Sequence, residues 1–100
     1  MTYQLDIRPD ALADIEAAGL WYDEQQPGLG ADFCRTIRRA INTLPDNPLI
    51  YRTRECRRNV RWFLPPRFPY RIVYRVKGDS ITVVAVIHAA RHDREWKRRL

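Results

Sequence analysis

Apolar positions recur along this chain with two different periods, and the change falls near its middle. Tyr3, Leu5 and Ile7 alternate with polar neighbours, which predicts a short strand over residues 3–8. Pro9 closes that strand and suits the first turn of a helix. Asp10, Asp14 and Glu16 put acids near the helix start, where the dipole favours them. Leu12, Ile15, Gly19 and Tyr22 step by three and four, so this helix is expected to run to about Gln25. Pro27-Gly28-Leu29-Gly30 reads as a turn. A second helix is expected over 31–44, with Phe33, Ile37, Ala40, Ile41 and Leu44 as its apolar stripe and Arg35, Arg38 and Arg39 off that stripe. Pro45, Asn47 and Pro48 stop it. Helices joined by so short a turn form an antiparallel hairpin.

Beyond that point the period falls to two. Residues 59–64 read as a strand ended by Pro65-Pro66. From 70 to 76 the alternation is clean, with Tyr70, Ile72, Tyr74 and Val76 on one face and Arg71, Val73 and Arg75 on the other. Lys77-Gly78-Asp79 turns the chain into residues 80–88, which are apolar on both faces and therefore read as a central strand. A last helical turn or a frayed tail is expected over 93–99. The order predicts an α+β fold: an N-terminal strand and an antiparallel helical hairpin packed on one face of a mostly antiparallel sheet. The opposite face is expected to be partly open, with Arg61, Arg71 and Arg75 projecting from it.

With 100 residues, one domain spanning 1–100 is expected. The longest apolar run, Val83-Val84-Ala85-Val86-Ile87, is far too short for a membrane span, and residues 1–6 do not resemble a secretory leader. A cytoplasmic location without membrane partners is therefore expected. Cys34 and Cys56 sit in no Cys-x-x-Cys spacing and read as unpaired thiols.

Charge narrows the class of partner. Residues 1–50 hold 4 Arg against 8 Asp and Glu, a net of −4; residues 51–100 hold 12 Arg and 2 Lys against 4 acids, a net of +10. Such asymmetry sets up a positive field over part of the surface. Guanidinium groups fork onto phosphate and carboxylate and stack on aromatic rings, so the partner is nucleic acid or an acidic protein.

The candidate chemistry is sparse. His88 and His92 have the i, i+4 spacing of paired metal ligands, but one ends a strand and the other lies past it, so no metal and no cofactor is expected. Ser80, the lone serine, sits in a turn outside any Gly-x-Ser-x-Gly setting. Asp14, Glu16, Asp23 and Glu24 read as a solvated helix face. The run Arg52, Arg54, Arg57, Arg58, Arg61 reads either as a solvated loop and strand edge or as an anion-capturing surface with Tyr51, Trp62 and Phe63 as stacking partners. His88, at a strand end, suits a general acid or base, since histidine titrates near neutrality, or a hydrogen-bonded cap.

Several segments in their order also carry a resemblance. They are Ala13-Asp14-Ile15, Trp21-Tyr22, Pro27-Gly28-Leu29-Gly30 with Phe33, Asn47-Pro48 with Tyr51, Val60-Arg61, Phe68-Pro69-Tyr70-Arg71-Ile72-Val73-Tyr74, and Val86-Ile87-His88-Ala89-Ala90-Arg91 with Trp96. Together they resemble the RelE/ParE superfamily of toxins from bacterial type II toxin–antitoxin systems. The resemblance implies a toxin silenced by a cognate ParD-like or RelB-like antitoxin in a hetero-oligomer. Leu12, Ile15, Arg38, Arg58, Arg61, Arg71 and Arg75 are the implied antitoxin contacts, and Arg91, Arg94 and Trp96 the implied target contacts. RelE-like members cut messenger RNA on the ribosome, which would cast Arg61, Arg71 and Arg91 on phosphate and His88 as base or acid. ParE-like members trap DNA gyrase by binding and hydrolyse nothing. The C-terminal tyrosine and lysine pair of many RelE-like nucleases are missing; Trp96 lies near the tyrosine's place, and an indole cannot transfer that proton. The ParE-like branch is therefore expected, with the RelE-like nuclease and a non-toxic nucleic-acid-binding module as its rivals.

Overall fold

A computed structural model describes residues 2–100. Strand β1 (Gln4–Ile7) leads into helix α1 (Pro9–Gln25) and helix α2 (Leu29–Asn42), followed by a 3-10 turn (Leu44–Asp46). Four strands then follow: β2 (Thr53–Glu55), β3 (Val60–Phe63), β4 (Tyr70–Lys77) and β5 (Ser80–His88), and the chain closes on the short helix α3 (Arg94–Lys97). The sheet order is β1-β5-β4-β3-β2, with β1 parallel to β5 and every other pair antiparallel. The α+β arrangement of a helical hairpin on a mostly antiparallel sheet is as the periodicity predicted. No helix among the described residues is long and apolar enough to cross a membrane.

Local chemistry explains where the helices meet. Asp23 Oδ1 accepts the N–H groups of Gly28 and Gly30, at 3.0 and 3.1 Å, so the last turn of α1 caps the start of α2. Gly28 holds a left-handed φ of 92°, which turns the chain sharply enough for α2 to begin at Leu29, two residues before the expected start. The helices touch at Gly19 and Gly30, where there is no room for a side chain. Phe33, Ile37 and Ile41, fully buried on one stripe of α2, pack down on the sheet, each contributing about 1.5–3 kcal/mol of burial. Tyr22, Phe33, Phe68 and Tyr70 form an aromatic knot, with ring centroids 5.0–6.1 Å apart, that ties both helices to the β3–β4 loop.

Two expectations change. A strand pair precedes β4 where one strand was expected, because Glu55 accepts the N–H groups of Arg57 and Arg58 and Asn59 takes a left-handed φ of 54°. These turn the arginine run into a tight hairpin between β2 and β3. Second, the sheet face away from the hairpin is covered. Val60, Val73, Val84, Ala85 and Ile87 form a separate core there, lidded by Trp96 of α3. Within the sheet, β5 carries a bulge at Val84: Val73 pairs with Ala85 and Tyr74 with Val83. Ser80–His88 is nonetheless interior, between β1 and β4.

Candidate functional site

The residues proposed for phosphate chemistry do not share a face. Arg61 pairs across the ladder with Tyr74, and Arg71 with Ile87, which are on opposite sides of the sheet. The expectation that Arg61, Arg71 and Arg75 project together is corrected by this register: β3 is offset from β4 so that Val60 and Trp62, not Arg61, share the face of Arg71 and Arg75. On the helix side, the Arg61 guanidinium donates to the carbonyls of Leu49 and Tyr51 and its Nε to Asn59 Oδ1, pinning the segment after α2. Beneath it Tyr74 donates to the Pro48 carbonyl, and burial pushes its phenol up to about 12.

On the other face Arg71 is buried to 5% exposure and bonded internally. It donates to Asp93 and to the Arg91 carbonyl, and lies 5.2 Å from the Trp62 ring centroid. Arg54 covers the same indole at 3.8 Å. Burial, ahead of repulsion from Arg52, lowers the affinity of Arg54 for its proton. Asp93 thus pairs with Arg71, and its charge also favours the protonated form of Arg54. The Arg71 hydrogen bond, outweighing the desolvation that opposes it, holds the Asp93 carboxyl below the usual carboxylate range.

A second cluster lies on the helix side, at the end of β5. Asp14, Ala17, Ala18, Trp21, Tyr70, His88 and Arg91 line a cleft of about 250 Å3. Asp14 is not solvated as expected. Its carboxylate receives Arg99 Nη1 and Nη2 at 2.6 and 3.0 Å and the Val86 N–H at 2.9 Å. Asp23, expected on the same solvated face, is the α2 cap. His88 Nδ1 accepts the Ala90 N–H at 3.0 Å, and the ring packs edge-on to Tyr70. Burial raises the affinity of the Tyr70 phenol for its proton. Arg91 is exposed, 4.0 Å from Glu95.

The remaining implied contacts divide by burial. Leu12, Arg38, Arg58, Arg91 and Arg94 are exposed and Arg75 half-buried. Ile15 at 3% and Trp96 at 0% are core residues, so neither offers surface to an antitoxin or a target. For both, a position on an amphipathic segment did not reveal which neighbour would cover it.

Comparison with known proteins places this architecture. The sequence model described as ParE toxin of type II toxin–antitoxin system, parDE, matches residues 5–93. The chain belongs to the ParE toxin family. Its fold superposes on the chromosomal ParDE TA system from P. aeruginosa with a TM-score of 0.77 and 23% identity, over 87% of this chain and 96% of that one. It also superposes on the E. coli toxin RelE, solved free as a double arginine-to-alanine variant, with a TM-score of 0.69 and 20% identity over 100% and 99% of the two chains. No curated protein sequence matches.

In this ParE toxin the Arg71–Asp93 pair carries a pH signature. A carboxyl whose folded pKa is depressed stabilises the fold above its unfolded value, near 4 for aspartate, and loses that contribution as pH falls through the folded value. Urea unfolding from pH 5 to pH 2 should therefore show a steeper loss of stability in the unmodified chain than in Asp93→Asn. Equal slopes would mean that the pair adds nothing to acid sensitivity. The sequence signals missed here were Asp14, Asp93 and Arg99. Each looked like an ordinary surface charge, and the 85-residue separation of Asp14 from Arg99 leaves no local pattern.

Proposed function

We propose that this ParE toxin acts by binding DNA gyrase rather than by cutting RNA, and that a cognate antitoxin silences it. The observation carrying this reading is the dispersal of the candidate nuclease groups. Arg61 is committed to backbone carbonyls on one face of the sheet, and Arg71 is buried and paired on the other. His88 is on the face of Tyr70, opposite Arg71. Stabilising a pentavalent phosphate requires donors converging on one point about 3 Å from each. Inhibition by binding requires surface alone, and Arg91 and Arg94 supply exposed guanidinium groups near the C-terminus.

The antitoxin's share of the surface follows from α1, which is apolar on its outer side as well as its inner one. Leu12, Leu20 and Trp21 are 40%, 62% and 54% exposed. An exposed apolar stripe on a chain with a net charge of +6 fits an acidic segment that folds as it binds. Arg38, Arg58 and Arg75 form no ion pair among the described residues. The purified toxin should stop gyrase-driven supercoiling while leaving cell-free translation running. Full supercoiling activity at saturating toxin would overturn the gyrase assignment. Codon-phased cleavage of ribosome-bound messenger RNA would establish the nuclease instead, and harmless overexpression without an antitoxin would favour a non-toxic binding module.

A further inference from the structure

The sheet has an unfinished edge. β1 pairs with β5 over residues 80–83 only, while β5 continues to His88. Beyond Val83 no strand among the described residues flanks β5 on that side. Ladder geometry fixes which backbone groups face the gap. Ala89 N–H donates to the Pro69 carbonyl at 2.8 Å, which makes Tyr70 and His88 a non-hydrogen-bonded pair. His88 and, two residues back, Val86 therefore turn their N–H and C=O away from β4. Side chains fill part of the gap: Arg99 Nη1 donates to the Val84 carbonyl at 3.2 Å and Asp14 accepts the Val86 N–H. The His88 carbonyl takes the Arg91 N–H at 2.9 Å. Two groups at this edge remain, the Val86 carbonyl and the His88 N–H.

This remainder suits the edge of an added strand. An antiparallel neighbour forms its close pair of bonds with the N–H and C=O of a single residue. At Val86 the N–H is held by Asp14, so the close pair there is half open, while the His88 C=O, bonded once to the Arg91 N–H, keeps a second lone pair. In a parallel pair, one incoming residue donates to the carbonyl of one residue and accepts from the N–H two positions on. Val86 C=O and His88 N–H are such a pair, in the same sense as β1. Val86 and His88 line the 250 Å3 cleft, where Ala17, Ala18 and Trp21 of α1 form an apolar wall. Asp14 is neutralised by Arg99, and the other charged side chain lining the cleft is Arg91, exposed and 4.0 Å from Glu95.

We propose that the Val86–His88 edge of β5 is a docking site for an extended acidic segment of the antitoxin, which adds to the sheet as a short strand in line with β1. This rests on the antitoxin reading above. Residues flanking the bridging one turn toward α1, so the segment carries an apolar side chain for Trp21 and Ala17 and a carboxylate for Arg91. Charge favours this occupant: residues 51–100 carry a net +10, and a nearby acidic chain is drawn to the cleft mouth.

The test uses the full chain with the antitoxin encoded beside it. In hydrogen exchange, the His88 amide should be unprotected in the free toxin and slow by about a hundredfold or more in the complex. His88→Pro deletes the outward N–H without touching the ladder to β4, while His88→Ala removes only the imidazole. His88→Pro should bind the antitoxin about tenfold or more weakly than His88→Ala. Ala17→Arg, which obstructs the exposed wall, should weaken binding to a similar extent with an unchanged melting temperature. Tight binding with an unprotected His88 amide, or equal affinities for the two His88 variants, would overturn strand docking and leave the antitoxin reading standing. Failure to form any complex would overturn both.

Discussion

Replacing Trp96 with alanine is expected to cost about 3–5 kcal/mol of folding stability, a large share of what a domain of this size possesses. The indole is fully buried, with Val60, Val73, Val84, Ala85 and Ile87 around it, and it is the largest side chain of the second core. No neighbour can collapse into its place, because α3 is a single short turn held over the sheet by polar ties. The Arg99 side chain bonds Asp14 and the Val84 carbonyl, while the Arg99 carbonyl receives Arg8 Nη1 at 2.8 Å. Trp21→Ala is the matched comparison: the same residue type, 54% exposed on α1, where truncation should change stability by about 0.5 kcal/mol. Urea denaturation of the two variants separates a packed lid from a surface handle. Should Trp96→Ala unfold at nearly the same midpoint as Trp21→Ala, the second core contributes little and Trp96 becomes available again as a target contact.

Gly30→Ala is expected to lose about 2–3 kcal/mol through overpacking, visible as a melting temperature lower by roughly 10–20 °C for 100 residues. A β-carbon at Gly30 would be 2.3 Å from the carbonyl oxygen of Gly19 and 3.0 Å from the β-carbon of Asp23. Backbone cannot move aside as a side-chain tip can, so α1 and α2 must separate and Asp23 must release the amide it caps. Gly28→Ala tests the alternative that any alanine in this turn is harmful. Gly28 meets nothing within 4 Å, and only its left-handed backbone opposes a side chain, at a cost of about 1 kcal/mol. Equal melting temperatures for the two variants would rule out close helix approach as the constraint.

These sites differ in how readily they can be read from the chain. The helical hairpin and the β4–β5 pair were legible because their stabilising contacts repeat at the period of the element: Phe33, Ile37 and Ile41 on α2, Ile72, Tyr74 and Val76 on β4. The short turn between the helices needed only Pro27, Gly28 and their neighbours. The hairpin from β2 to β3 was not legible, since Glu55 and Asn59 act through turn geometry and the flanking arginines look solvated. The candidate site was legible in residue type and not in placement. A one-residue difference in register decides which face Arg61, Arg71 and His88 occupy, and it leaves Arg71 buried.

Local alternation of apolar and polar residues specifies elements, their order and their inner faces, since each depends on neighbours a few positions away. The imbalance of charge between the two halves is likewise a property of the chain alone, and it already called for an acidic or nucleic-acid partner. Tertiary structure decided everything that depends on pairing distant segments. It sent Arg61 and Arg71 to opposite sides of the sheet, sank Trp96 beneath α3, and joined Asp14 to Arg99 across the open flank of β5. Such contacts arise from strand register, a bulge at Val84 and the return of the C-terminus, none of which leaves a periodic trace among adjacent residues.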